Sequence, residues 1–124
     1  MESTLTERLP LVIEEVLYRI AQEALHNVVK HAGARQVRVD VGRNGQGVRM
    51  RIEDDGKGFD PGAVPDGHLG LAGMRARAER IGAEFSCRSD HGRGTTIEIL
   101  VPETAIERAG SPTAPATSTA IRDE

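Results

Sequence analysis

Residues 36–54 alternate apolar and polar side chains on both sides of a turn: QVRVDV (36–41), RNGQG (43–47) with its Asn-Gly step, then VRMRIED (48–54). Alternation puts every second side chain on one face of a strand, and Asn-Gly is a strong tight-turn signal, so the stretch predicts a half-buried β-hairpin. A second pair of alternating segments, EFSCRS (84–89) and TTIEILV (95–101), flanks the turn DHGRG. Ahead of the first hairpin, Leu11 to about Ala32 has helical spacing with no Gly or Pro inside, bounded by Pro10 and Gly33. LAGMRARAERIGA (71–83) returns to that spacing, with Leu71, Met74, Ala78 and Ile81 on one side.

The order helix, strand, strand, Gly-rich loop, helix, strand, strand lacks the alternation that a doubly wound Rossmann fold requires. It predicts an α+β two-layer sandwich, with a mixed, mostly antiparallel sheet and helices on one face. Residues 1–10 read as a lead-in. From 103 to 124 the chain is rich in Ala, Thr, Ser and Pro without a sustained period, and reads as a disordered tail. That leaves 11–102 as the expected domain.

Composition narrows the function. A net charge of -3 gives no basic field for DNA or RNA, and 2 % aromatic residues argue against base-stacking platforms. The single cysteine, Cys87, has no partner for an internal disulfide and fits a reducing compartment. No apolar run approaches the roughly 18 residues of a membrane span, and no signal-peptide pattern is visible, so a cytoplasmic domain is expected.

IEDDGKGFD (52–60) ends a strand on Asp54 and Asp55, then bends through Gly56 and Gly58. Glycine turns after strands often cradle phosphate, but carboxylates have the wrong sign for that, so the loop suits a cation or a neutral hydrogen-bond donor. An EF-hand alignment needs acids at 51 and 53 and a glutamate at 62. Arg51 and Gly62 fail it, and a strand precedes the loop. A carboxylate at a strand end can instead accept from an exocyclic amine such as adenine's, while glycines let a flat ring approach the backbone. Asp55 reads as a solvated carboxylate.

In the first helix, Glu23, Asn27, Lys30 and His31 recur at helical spacing and share one face, continuing a stripe that begins as Val12, Val16 and Ile20. An apolar stripe turning into acid, amide and base suits a helix that emerges from the core into a cleft. There an acid can take a proton, an amide oxygen can ligate a hard cation and bases can pair with phosphate.

DDGKG resembles the D-x-G-x-G box of the nucleotide-binding fold shared by gyrase, Hsp90, histidine kinases and MutL, and EALHNVVKHA resembles its N box. GHLGLAGMRARAERIGA is similar to the second glycine box, and GRGTTIEILVP to the closing G-x-G-T strand. The four lie in the family's order across residues 20–102, and the wording is most similar to NarL-type sensor histidine kinases. The resemblance implies a Bergerat-type ATP-binding domain in which Asp54 accepts from the adenine amine. Gly56 and Gly58 would open the pocket floor, and Thr95 would support Asp54 through an ordered water. It further implies that Asn27 ligates Mg²⁺ bridging the phosphates. Glu23 would be the catalytic acid that orients or deprotonates the attacking group, and Lys30 and His31 would neutralise phosphate charge. Gly67, Gly70, Leu71 and Gly73 would form a lid base and helix N-terminus near the phosphates.

By the same resemblance, ATP's γ-phosphate goes to a histidine on a separate dimerisation hairpin, then to a NarL-type response regulator. The full protein is expected to be a membrane-linked or sensor-linked homodimer. The lid, about 59–69, is short and lacks a phenylalanine-rich box, and no such hairpin is present, so the chain alone is expected to bind ATP without autophosphorylating. Two other readings use the same residues: an anti-sigma-type serine kinase, and a nucleotide-sensing module without transfer activity.

Overall fold

The two hairpins merge into one sheet because each carries an apolar face that neither can bury alone. The computed structural model describes residues 2–3, 9–58, 70–90 and 92–110. The strands are β1 (Glu2–Ser3), β2 (Val37–Asn44), β3 (Gly47–Asp54), β4 (Glu84–Asp90) and β5 (Gly94–Pro102), and the helices α1 (Leu11–Asn27), α2 (Leu71–Arg80) and α3 (Glu103–Gly110). Strand order is β1-β2-β3-β5-β4, antiparallel except where β1 pairs parallel with β2. The expected mixed, mostly antiparallel sheet is therefore present, with β1 drawn from the lead-in.

The first hairpin turns at Gly45–Gln46. The Asn44 side-chain oxygen accepts from the Gln46 and Gly47 amides at 2.7 and 3.2 Å and holds the bend. In β3, Val48, Met50 and Ile52 stand opposite Val101, Ile99 and Ile97 of β5, and Phe85 and Cys87 of β4 extend two of those rows. All six residues of the β3–β5 rows are buried. The other sheet face is charged, with Arg38–Asp40, Arg49–Glu98 and Arg51–Glu53 ion pairs at 2.9, 2.7 and 3.3 Å. Only one face is apolar, so the helices gather there.

α1 seals that face with Ile13, Leu17, Ile20 and Ala24, spaced four, three and four apart. This corrects the expected stripe. Val12 is 49 % exposed, and the buried row runs through Ile13, so Val12, Glu23 and Asn27 lie on a flank of the core face rather than along its centre. Pro10 caps the helix, its carbonyl accepting from Ile13 and Glu14, one position earlier than a first-turn proline. The helix also changes character at its end: Val28–Ala32 form a π-helical turn, closed by left-handed Gly33. The wider turn breaks the α-helical spacing that aligned Lys30 with Glu23.

A second correction concerns residues 103–110. They form α3, whose Ala105 and Ile106 enter the core. Two turns are too short to register as a period among the Ala, Thr, Ser and Pro that follow, and tertiary packing supplies what propensity does not. Glu103 fastens the helix to the first hairpin: Arg43 Nε and Nη2 donate to its two carboxylate oxygens at 2.9 and 2.8 Å, and the Glu103 amide donates to the Gln46 carbonyl at 3.0 Å. The rest of the expected tail lies outside the described residues. Ile106→Ala should therefore destabilise the domain by about 2–4 kcal/mol in denaturant titration, the range for emptying a buried aliphatic site. Arg43→Ala, at the edge, should cost much less.

Candidate functional site

The core face of the sheet becomes polar at one end. Counting along β3 from Ile52, the next side chain on that face is Asp54. Its cross-strand partner is Thr95, and the partner of Thr95 on β4 is Ser89. This row therefore continues the Ile52–Ile97–Cys87 row beyond the hydrophobic core, all three members half-buried. Ser89 Oγ and Thr95 Oγ1 are 2.8 Å apart, and Ser89 donates to the Gly94 carbonyl at 3.2 Å. Sequence reasoning missed Ser89; the cross-strand count through the DHGRG turn would have found it opposite Thr95.

The glycine loop fixes the carboxylate. The Gly56 amide donates to Asp54 Oδ1 at 2.8 Å, orienting the group and leaving Oδ2 for a donor outside the loop. Gly58 is packed against backbone on the side where a side chain would stand. Its φ is +68°, and a Cβ there would fall 2.0 Å from the Asp90 carbonyl. Gly94, at φ +83°, has its missing Cβ 2.1 Å from the Asp54 carbonyl. With the Gly92 amide donating to the Lys57 carbonyl, the loop after β3 and the turn before β5 interlock backbone to backbone. These glycines serve loop packing, which only the folded contact reveals.

Asp55 also departs from expectation. Although exposed, its Oδ1 accepts from the Arg35 and Gln36 amides at 2.8 and 3.0 Å, tying the segment after α1 to the end of β3. Those amides, Gln36 first and Arg35 second, hold its carboxyl below the ordinary carboxylate value. Cys87, one row inside Asp54, has its thiol pKa pushed up by burial; Arg75 opposes the rise and Asp54 adds to it.

A second group lies where α1 meets α2. Gly70 caps α2 at φ +71°, and the Glu23 carboxyl carbon sits 2.9 Å from where a Gly70 Cβ would be, so Glu23 packs against the N-terminus of α2. That terminus offers unpaired amides and a positive dipole end, a setting that favours negative charge. An open groove of about 380 Å³ beside it is lined by Arg19, Gln22, Glu23, His26 and Arg77. Asn27, half-buried, is the last residue of α1, and Lys30 is exposed on the π turn. Leu71 packs against the core, and Gly73 faces open space. Gly67, the expected lid and the His31 side chain lie outside the described residues.

Residues 13–105 match the family described as histidine kinase-, DNA gyrase B-, and HSP90-like ATPase. The chain is 41 % identical over 90 residues to sensor histidine kinase LiaS of Bacillus subtilis, covering 73 % of this chain and 25 % of LiaS. It is 39 % identical over 101 residues to the signal transduction histidine-protein kinase/phosphatase DegS of Brevibacillus brevis, covering 82 % of this chain and 26 % of DegS. The chain thus spans about a quarter of these relatives' length. In structure it is similar to the ATP-binding domain of PrrB from Mycobacterium tuberculosis, with TM-score 0.61 and 28 % identity over 71 % of this chain and 67 % of that one. The histidine kinase domain of the Erythrobacter litoralis EL346 blue-light activated histidine kinase shares the fold, with TM-score 0.69 and 22 % identity over 89 % of this chain and 57 % of that one.

The Asp55 pin has a pH signature. A folded-state pKa below the ordinary value of 3.8 means its stabilisation is present above about pH 4 and is lost as pH falls through the lowered value. Asp55→Ala should therefore melt below wild type at pH 7, and the gap between the two melting temperatures should close on acidification below about pH 4.

Proposed function

The chain belongs to the histidine kinase-, DNA gyrase B-, and HSP90-like ATPase family, and on that premise we propose that it is the ATP-binding catalytic domain of a two-component sensor histidine kinase. The observation that carries the reading is Asp54 at the polar end of the core face. There a carboxylate oriented by the Gly56 amide stands over the apolar Ile52–Ile97 row. A flat base with an exocyclic amine suits this edge: the ring can pack at the margin of the core while the amine donates to the carboxylate. Thr95, opposite Asp54, supplies a hydroxyl on the same edge.

The phosphates then extend toward the α1–α2 contact, where the amides at the start of α2 and the cation of Lys30 offset their charge. Gly70, Leu71 and Gly73 frame that approach. Among the described residues, no cluster of three or more His, Cys, Asp or Glu could hold a metal. A metal here would take most of its oxygens from phosphate and water, which is how Mg²⁺ usually binds, with the half-buried Asn27 amide as protein ligand. Held there by Asn27, Mg²⁺ would offset negative charge on the phosphates.

Glu23 is the acid placed to act on the acceptor. In the transfer, an imidazole nitrogen of a partner histidine attacks the γ-phosphorus, the bond to the β–γ bridging oxygen breaks, and ADP departs with that electron pair. Glu23 orients the imidazole or takes its proton. The acceptor belongs to a dimerisation hairpin of the same kinase, and the phosphoryl group passes on to a NarL-type response regulator. The names of LiaS and DegS, both histidine kinases, support this context. No described helix is long and apolar enough to cross a membrane, consistent with placing this domain in the cytoplasm. The chain alone binds ATP without autophosphorylating.

Calorimetric titration with ATP tests the pocket. Asp54→Ala should abolish binding, Asn27→Ala should lose only the Mg²⁺-dependent part, and Glu23→Gln should bind as wild type while slowing transfer to an added histidine-bearing hairpin at least 100-fold. Wild-type ATP affinity in Asp54→Ala would remove the base-binding role, and acid-stable phosphoserine in place of acid-labile phosphohistidine would point to a serine kinase.

A further inference from the structure

The groove between α1 and α2 carries cations beside Glu23 that no nearby acid neutralises. Arg19, Gln22, Glu23 and His26 recur at three- and four-residue spacing and share one face of α1, and Arg77 of α2 completes the lining of about 380 Å³. All five are exposed. On the charged face of the sheet, Arg38, Arg49 and Arg51 each hold a carboxylate, at 2.9, 2.7 and 3.3 Å. Among the described residues, Arg19 and Arg77 hold none.

Glu23 stands one turn after Arg19 on the same helix, within reach of an ordinary helical ion pair. Its carboxyl carbon instead sits 2.9 Å from where a Gly70 Cβ would be, against the start of α2, where the first amides favour negative charge. The groove is left with two guanidinium groups, on a chain whose net charge is -3. A local basic patch on an acidic protein selects an acidic partner by complementarity rather than by bulk attraction. The rim adds an aromatic anchor. Tyr18, the only tyrosine of the chain, is 63 % exposed, and Gln22 Nε2 donates to its hydroxyl at 3.3 Å. Exposed Tyr and Arg side by side are the residue types enriched in protein interfaces.

We propose that this groove docks an acidic helix, the one that bears the acceptor histidine, with carboxylates about one turn to either side of that histidine received by Arg19 and Arg77. This rests on the reading of Glu23 as the acid that acts on the acceptor. An imidazole that reaches Glu23 brings the neighbouring turns of its helix over the rest of the groove. Arg19 lies four residues, about 6 Å, along α1 from Glu23, and His26 lies three residues the other way. A helix lying along α1 with its histidine at Glu23 therefore sets side chains one turn away over those two positions, whichever way it runs, and Arg77 meets them from α2. Guanidinium groups bind carboxylates in a fixed two-pronged geometry, so such pairs set the register of the helix as well as attracting it.

Fluorescence anisotropy on the full 124-residue chain, saturated with ATP and Mg²⁺, tests this with three labelled helical peptides. Each has one central histidine, and the positions one turn before and after it are glutamate, glutamine or lysine. At low salt wild type should bind the glutamate peptide about fivefold tighter than the glutamine peptide, the scale of two exposed ion pairs, with the lysine peptide weakest. At about 1 M salt the preference should shrink to within about twofold. Arg19→Gln with Arg77→Gln should remove the preference and leave ATP affinity unchanged. Arg19→Glu with Arg77→Glu should invert it, so that the lysine peptide binds best. Failure of the glutamate peptide to bind wild type, equal binding of all three peptides, or a charge-reversed chain that still prefers glutamate overturns the docking surface and leaves the nucleotide site standing. Failure of wild type to bind ATP overturns the kinase reading and this inference with it.

Discussion

The register between β3 and β5 sets Val48, Met50 and Ile52 against Val101, Ile99 and Ile97, and both the core and the site follow from it. Because side chains alternate with a period of two, a one-residue slip would turn every one of these residues to the charged face and bring Arg49, Arg51 and Glu53 under the helices. The same register carries Asp54 to Thr95. The site is the next row of the core face, at the point where apolar residues give way to polar ones.

Two features hold that row open without letting it collapse. The loops that follow β3 and precede β5 interlock through Gly58 and Gly94, where carbonyl groups occupy the space of absent side chains. Asp55 ties the segment after α1 to the same strand end. Asp54 is thus carried on backbone braced from two directions and oriented by the Gly56 amide, so little ordering remains to be done when a ligand arrives. At the other wall, Glu23 rests against the start of α2, so a single helix contact places its carboxyl beside the first amides of that helix. The π turn after Asn27 belongs with these features, since wider turns are frequent at functional sites.

Much of this was legible before the fold was known. Alternation in 36–54 and 84–101 predicted both hairpins, and four glycine and polar boxes in order pointed to Asp54, Asn27, Glu23 and Thr95. Several departures share one cause: a contact between segments distant in the chain. Asp55 is exposed, as a solvated carboxylate should be, but its two donors lie some twenty residues away and leave no local sign in the sequence. Nothing near Gly58 in sequence shows that its neighbour is the Asp90 carbonyl, and Ser89 carries no motif at all. The helix 103–110 was lost in a composition typical of tails, though Ile106 is a core residue.

What the chain determines by itself is therefore local and periodic: which segments are strands or helices, which face of each is apolar, and which polar residues interrupt those faces. Such patterns depend on backbone geometry with fixed periods of two and 3.6 residues, which any stretch of sequence displays. Only the tertiary structure decides which polar interruption meets which. It aligns Asp54, Thr95 and Ser89 in one row, seats Glu23 on α2, and gives the hydroxyl pair its partners. Those outcomes depend on strand register and helix docking, quantities set by burial summed over the whole core rather than by any residue's neighbours in sequence.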